Sequence, residues 1–177
     1  MAGVIDVEYN VFTIAGPDAQ PGCMDRPYGN GLVAATARGR PAEEHTVAVV
    51  VTGTLDGDVW VTAETWGQEP PPLALDAWQD AAQITIEWPG GSARVLGADV
   101  DPLPQLTFGH DLPPGRRRLL VAGRNRDEGE ARHADAPVEE YLLQMWPAAS
   151  DSPSDDVILK TTSATGAMWQ AACRLTT

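Results

Sequence analysis

The chain has 177 residues, 43% of them hydrophobic, and a formal net charge of -13. That length suits one domain able to bury a core without disulfides or a structural metal, and that composition excludes global disorder. The acidity excludes autonomous nucleic-acid binding, which needs a basic face against phosphates, and disfavours an anionic membrane surface.

Lys160 is the only lysine, and the other basic side chains are arginines. Arginine preferred over lysine, alongside abundant alanine, points to a GC-rich bacterial genome. Cys23 and Cys173 stand near opposite ends, and a pair so far apart is read as two free thiols rather than a disulfide. No apolar run approaches the roughly 20 residues of a membrane span. The start, Met1-Ala2-Gly3-Val4-Ile5-Asp6, has no basic region and meets an acid early, unlike a secretory signal. The expectation is a soluble cytoplasmic protein.

Residues 7–14 open with alternating apolar and polar side chains, the period of a half-buried strand. Residues 15–31 are rich in Gly, Pro and Asp and read as a long loop, followed by a short strand over 32–37. The β-branched run 45–52 is strand-like. It leads through an Asp56-Gly57 turn signal into 59–66, where Val59, Val61 and Ala63 alternate with Trp60, Thr62, Glu64 and Trp66. These two runs are expected to form a hairpin. Pro70-Pro71-Pro72 cannot continue a strand. Residues 75–80 read as one helical turn or a loop plugged by Trp78. Strands follow over 83–88, 93–96, 103–108 and 116–123, with 83–88 and 93–96 expected to pair through Pro89-Gly90-Gly91. Residues 139–146 form the last strong strand, and 157–162 add another. Residues 167–173 can form a short helix.

Short strands separated by turn signals, with no sustained helical period before the tail, predict an all-β fold. The expected architecture is a single antiparallel β-sandwich with little helix over residues 1–162, and a C-terminal tail over 163–177. The segment 125–138 carries charges of both signs and almost no apolar side chains. It reads as a surface loop whose removal would expose little apolar area.

Little of this spells a reaction. His45, His110 and His133 lack any paired zinc spacing. Asp56-Gly57-Asp58 opens like a calcium loop but lacks the later ligands. Cys23 lies beside Arg26 with no histidine placed to activate it. No nucleophile elbow, phosphate loop or dinucleotide fingerprint is present. No catalytic residue, metal or cofactor is assigned. Glu64, Glu87, Glu139 and Glu140 fall on predicted strands, and a glycosidase would need two such carboxylates about 5–10 Å apart. Six tryptophans stand against two phenylalanines, an unusual ratio for a core.

The runs Gly57-Asp58-Val59-Trp60-Val61-Thr62-Ala63-Glu64, Trp78-Gln79-Asp80, 116–127 and 139–147 carry a resemblance. They look like a group of small bacterial β-sandwich proteins, similar to the competence-associated nuclease inhibitors. The resemblance covers about residues 45–147, and its most specific part is Tyr141-Leu142-Leu143-Gln144-Met145-Trp146-Pro147. It implies a non-enzymatic protein-binding module of inhibitor or immunity type, acting on a nuclease. An acidic surface can occupy a basic groove, so the partner is expected to be a basic protein. The candidate contacts are Asp127, Glu128, Glu130 and Asp135 in the charged loop. The alternative is a carbohydrate- or small-ligand-binding sandwich with Trp60, Trp66 and Trp88 as its platform.

Overall fold

A computed structural model of the chain describes residues 1–17, 29–35, 46–97, 106–128, 137–153 and 156–174. These residues are mostly strand. The strands are β1 (Ala2–Val7), β2 (Val11–Ala15), β3 (Val33–Ala35), β4 (Thr46–Val51), β5 (Gly57–Thr65), β6 (Asp80–Trp88), β7 (Gly91–Leu96), β8 (Thr107–Leu112), β9 (Gly115–Arg124), β10 (Glu140–Pro147) and β11 (Val157–Thr161). One 3-10 turn, Leu75–Ala77, precedes β6, and one α-helix, α1 (Ala164–Arg174), ends the described chain. Among the described residues no helix is long and apolar enough to cross a membrane.

The strands form two sheets. One has six strands in the order β1-β5-β10-β9-β6-β11, and the other has five in the order β3-β4-β2-β7-β8. All described pairings are antiparallel except β5 with β10, so the six-stranded sheet is mixed rather than wholly antiparallel. β10 turns back from β9 as a hairpin partner, with Leu143 opposite Val121, and its other edge meets β5 running the same way. The central strands β9 and β10 are buried on both faces. That is why Leu119-Leu120-Val121-Ala122 and Leu142-Leu143 read as continuous apolar runs rather than alternations.

A single buried cluster draws on both sheets. Ile5, Val59, Val61, Ile84, Ile86, Leu119, Val121 and Leu143 enter it from the six-stranded sheet, and Phe12, Ile14, Val50, Val95 and Phe108 from the other. Phe12 and Tyr141 meet across it edge to face, 5.2 Å between ring centroids, the geometry their quadrupoles favour.

Three sequence expectations change. The run 7–14 is two strands in different sheets, broken at Tyr9 and Asn10, whose φ values are 55° and 62°. A pair of positive φ values makes a tight turn, so alternation on either side of it did not belong to one strand. The expected hairpin of 45–52 with 59–66 does not form: β4 pairs with β2 and β3, and β5 with β1 and β10. The connection between them crosses from one sheet to the other, and Glu139 takes its backbone N–H groups, Gly53 at 2.5 Å and Thr54 at 2.8 Å. Likewise β6 and β7 lie in different sheets, and Gly90 and Gly91, at φ 106° and 79°, make the corner between them.

The helix expected in the tail forms as α1, and Trp78 does act as a plug, packed with Leu73 and Leu75 against the six-stranded sheet. Trp88, 2% exposed, fills the main core. We predict that Trp88→Ala lowers stability by about 3–5 kcal/mol, read as a fall in the denaturant midpoint with an unchanged slope.

Candidate functional site

The outer face of the six-stranded sheet is built by the alternation of β5 and its neighbours. Val59, Val61 and Ala63 point into the core, so Asp58, Trp60, Thr62 and Glu64 point away from it. Trp60 and Trp66 keep 39% and 38% of their surface exposed. In register, Trp60 stands between Val4 on β1 and Glu140 on β10, and Asp6 stands opposite Asp58. The Glu64 carboxylate accepts the Trp66 indole N–H at 3.0 Å and the Gln144 amide at 2.9 Å. Both groups therefore hold the strip in one arrangement.

Toward β9 and β6 the same face is covered. Leu73, Leu75 and Trp78 lie over Ala81, Leu120, Ala122, Leu142, Trp146 and Leu159. Arg124 sits over the Trp78 ring at 5.3 Å and pairs with Glu140 at 2.6 Å. The exposed strip is thus what the segment 66–79 leaves open.

A second constellation is buried. Arg126 is 1% exposed, and its guanidinium bonds the Asp80 carboxylate, the Gly31 carbonyl at 3.1 Å and the Val51 carbonyl at 2.9 Å. Asp80 also accepts the Ser163 hydroxyl and the N–H groups of Thr162 at 2.9 Å and Ser163 at 3.1 Å. Burial opposes the charge on Arg126, but its neighbours, the hydrogen-bonded Asp80 carboxylate among them, outweigh it and raise its pKa. Close by, Glu139 accepts the Tyr141 and Thr54 hydroxyls, the latter at 2.6 Å. Burial and then Glu139 push the Tyr141 phenol well above its ordinary value, so it remains a donor at neutral pH. Each carboxylate is saturated by donors from this chain, which marks both as structural groups rather than chemistry aimed at a ligand.

The charged-loop candidates divide accordingly. Asp127 is exposed but already employed: its carboxylate accepts the N–H groups of Ala164 and Thr165, each at 2.9 Å. Ser163, through its hydroxyl, takes the Gly166 N–H at 2.8 Å. Together they cap the first turn of α1, whose leading N–H groups have no partner within the helix. Glu128 is exposed. Glu130 and Asp135 lie outside the described residues, as do Cys23, His45 and His133. The segment 125–138 is therefore not a dispensable loop at its ends. Arg126 is core, and Asn125 closes the base by donating to the Val138 carbonyl at 2.7 Å. The sequence carried no signal for this, because Asp80 and Arg126 are 46 residues apart and each looks like a surface charge.

Of the tryptophan platform, Trp60 and Trp66 are on the surface and share one face. Trp88 is withdrawn: its place on the inward face of β6 buries it. The carboxylates proposed for a hydrolase do not assemble. Glu64 and Glu87 are three strands apart, about 14 Å across the sheet alone. Glu139 is buried and Glu140 is paired with Arg124. Among the described residues, no group of three His, Cys, Asp or Glu is placed to hold a metal.

No protein-family model and no curated protein matches the chain. Among solved structures it is similar to one titled crocagin biosynthetic gene J, at 19% identity and a TM-score of 0.44, covering 84% of this chain and 99% of that one.

Two predictions follow from the buried constellation and the cap. Arg126→Ala leaves Asp80 buried without its cation, and should cost about 3–5 kcal/mol in a denaturant titration. Asp127→Ala removes a cap and should cost about 0.5–2 kcal/mol. Burial alone would raise the Asp127 carboxyl, but the Thr165 and Ala164 N–H groups and Arg126 overcome it and hold it below the usual range. A lowered carboxylate pKa stabilises above the unfolded value and loses that contribution as pH falls through the folded one. The gap between wild type and Asp127→Ala should therefore be full at neutral pH and close on acidification below the ordinary carboxylate range.

Proposed function

We propose that this chain is a non-enzymatic, cytoplasmic, protein-binding β-sandwich of inhibitor or immunity type from a bacterium. In this reading its two sheets pack face to face, and the outer face of the six-stranded sheet grips a basic protein, a nuclease foremost. The observation that carries it is the pair Trp60 and Trp66, half-exposed on one face within an acidic surround. Exposed indoles are the side chains that most often anchor an interface.

The charge arrangement supports the same reading. Asp6 and Asp58 face each other across β1 and β5, and like charges directly opposite destabilise a sheet. A basic partner would relieve that repulsion and be drawn to it from a distance. The resemblance to nuclease inhibitors adds the class of partner. Glu128, Glu130 and Asp135 stay as secondary contacts, whereas Asp127 is committed to α1.

A second reading, a carbohydrate-binding face, draws on the same two indoles. They lie six residues apart along one strand direction, about 20 Å, so they would stack on separate residues of an oligosaccharide rather than on one ring.

The test pairs the protein with the nuclease encoded nearest its own gene. The expected result is stoichiometric inhibition that weakens with added salt and falls at least about tenfold in affinity for Trp60→Ser with Trp66→Ser, given typical anchor energies. Full nuclease activity at excess protein removes the reading. Undiminished inhibition by the double variant moves the contact to the charged loop. A saturable fluorescence change on an oligosaccharide panel, with no nuclease effect, would favour the carbohydrate reading instead.

A further inference from the structure

A cavity of about 190 Å³ opens beside the covered part of the outer face, walled by Leu73, Leu75, Leu120, Trp146 and Leu159 and rimmed by Glu69 and three consecutive prolines. Its volume is of the order of an engineered apolar cavity of about 150 Å³ that takes benzene. One polar side chain, Gln83, interrupts the apolar wall.

The orientation of that amide is imposed by a neighbour on the adjacent strand β9. Arg118, 3% exposed, donates to the Gln83 Oε1 at 2.9 Å. A guanidinium only donates, so the oxygen of Gln83 must face Arg118 and its NH2 must face away. Arg118 is held in place in turn, donating to the Thr85 hydroxyl at 2.8 Å and the Pro153 carbonyl at 3.3 Å. Among the described residues the Gln83 NH2 has no acceptor. The cavity thus combines a ring-sized apolar volume with one preset donor.

We propose that this cavity binds a small neutral molecule with a ring-sized apolar body and a carbonyl- or amide-type oxygen, the oxygen accepting from Gln83. Glu69 at the rim disfavours an anion, and Arg118 bonded to Gln83 disfavours a cation. Pro70, Pro71 and Pro72 offer no N–H to an extended partner chain lying across the rim, so the occupant is a whole small molecule rather than a docked strand. The stiff rim also means that little ordering is lost on binding. This site does not rest on the protein-binding reading of Trp60 and Trp66.

The probes are benzamide and toluene, of similar apolar size but with and without the acceptor. Binding is followed by two-dimensional amide NMR of the folded full chain. Benzamide should shift the Gln83 side-chain amide and the Trp146 indole N–H saturably, with a Kd of about 1 mM or tighter, the range expected of a fragment. Leu159→Trp, on the edge strand β11, should fill the cavity and weaken benzamide at least about tenfold. Leu120→Phe serves the same purpose if the first variant does not fold. Gln83→Leu should abolish the preference for benzamide over toluene, and Trp60→Ser should leave binding unchanged. Absence of saturable shifts at tens of millimolar benzamide overturns the proposal, as does binding that survives both filling variants. Equal binding of the two probes to the wild type overturns the role given to Gln83.

Discussion

One guanidinium ties this fold together. Arg126 leaves the end of β9, in the six-stranded sheet, and reaches carbonyls of Gly31 and Val51 beside the other sheet while holding Asp80 at the start of β6. Asp80 in turn fixes Thr162 and Ser163, from which α1 begins. Both sheets and the helix therefore meet at one buried ion pair. Such a pair gains little over an apolar replacement, because desolvation offsets most of the attraction, yet losing one partner strands a charge in the core. The close approach it demands is visible at Gly53, where a Cβ would lie 1.7 Å from the Arg126 carbonyl oxygen.

That arrangement redistributes the acidic character of the chain. Asp80, Asp127 and Glu139 are spent on organising the backbone: Asp80 at the ion pair, Asp127 at the start of α1, and Glu139 at the crossing between β4 and β5. What remains on the outer face of the six-stranded sheet is a different population, in which Asp6, Asp58 and Glu64 surround two exposed indoles. The proline-rich segment 66–79 divides that face into an open strip along β5 and a covered region over β6, β9 and β10. The proposed protein contact around Trp60 and Trp66 and the proposed cavity beside Trp146 therefore share no residue.

Strand character was legible because it is local. Alternation in 59–66 and 83–88 reports which side chains enter a core, and the continuous apolar runs at 119–122 and 142–143 report burial on both faces. The strands β9 and β10 were legible too as two strong runs flanking one loop, although their pairing was not. The failures share a cause. A turn signal such as Asp56-Gly57 says that the chain bends, not which sheet it enters next. Asn10 carried a weak signal of a break, since asparagine is enriched at positive φ, but Tyr9 carried none, and the alternation around them hid the turn.

By itself the sequence determined the class of fold, the positions of most strands and the strongly acidic balance of charge, and it left the tail open to a short helix. These follow from periodicity and composition, which neighbours along the chain express without help. The tertiary structure decided the pairing: the mixed order of the six-stranded sheet, the crossings at 52–57 and 88–91, and the union of Asp80 with Arg126. It also decided which tryptophans are surface and which are core, placing Trp88 inward and Trp60 outward on strands of similar texture. Exposure depends on which face of a strand meets the other sheet and on what covers the opposite face, and both are properties of residues distant in sequence.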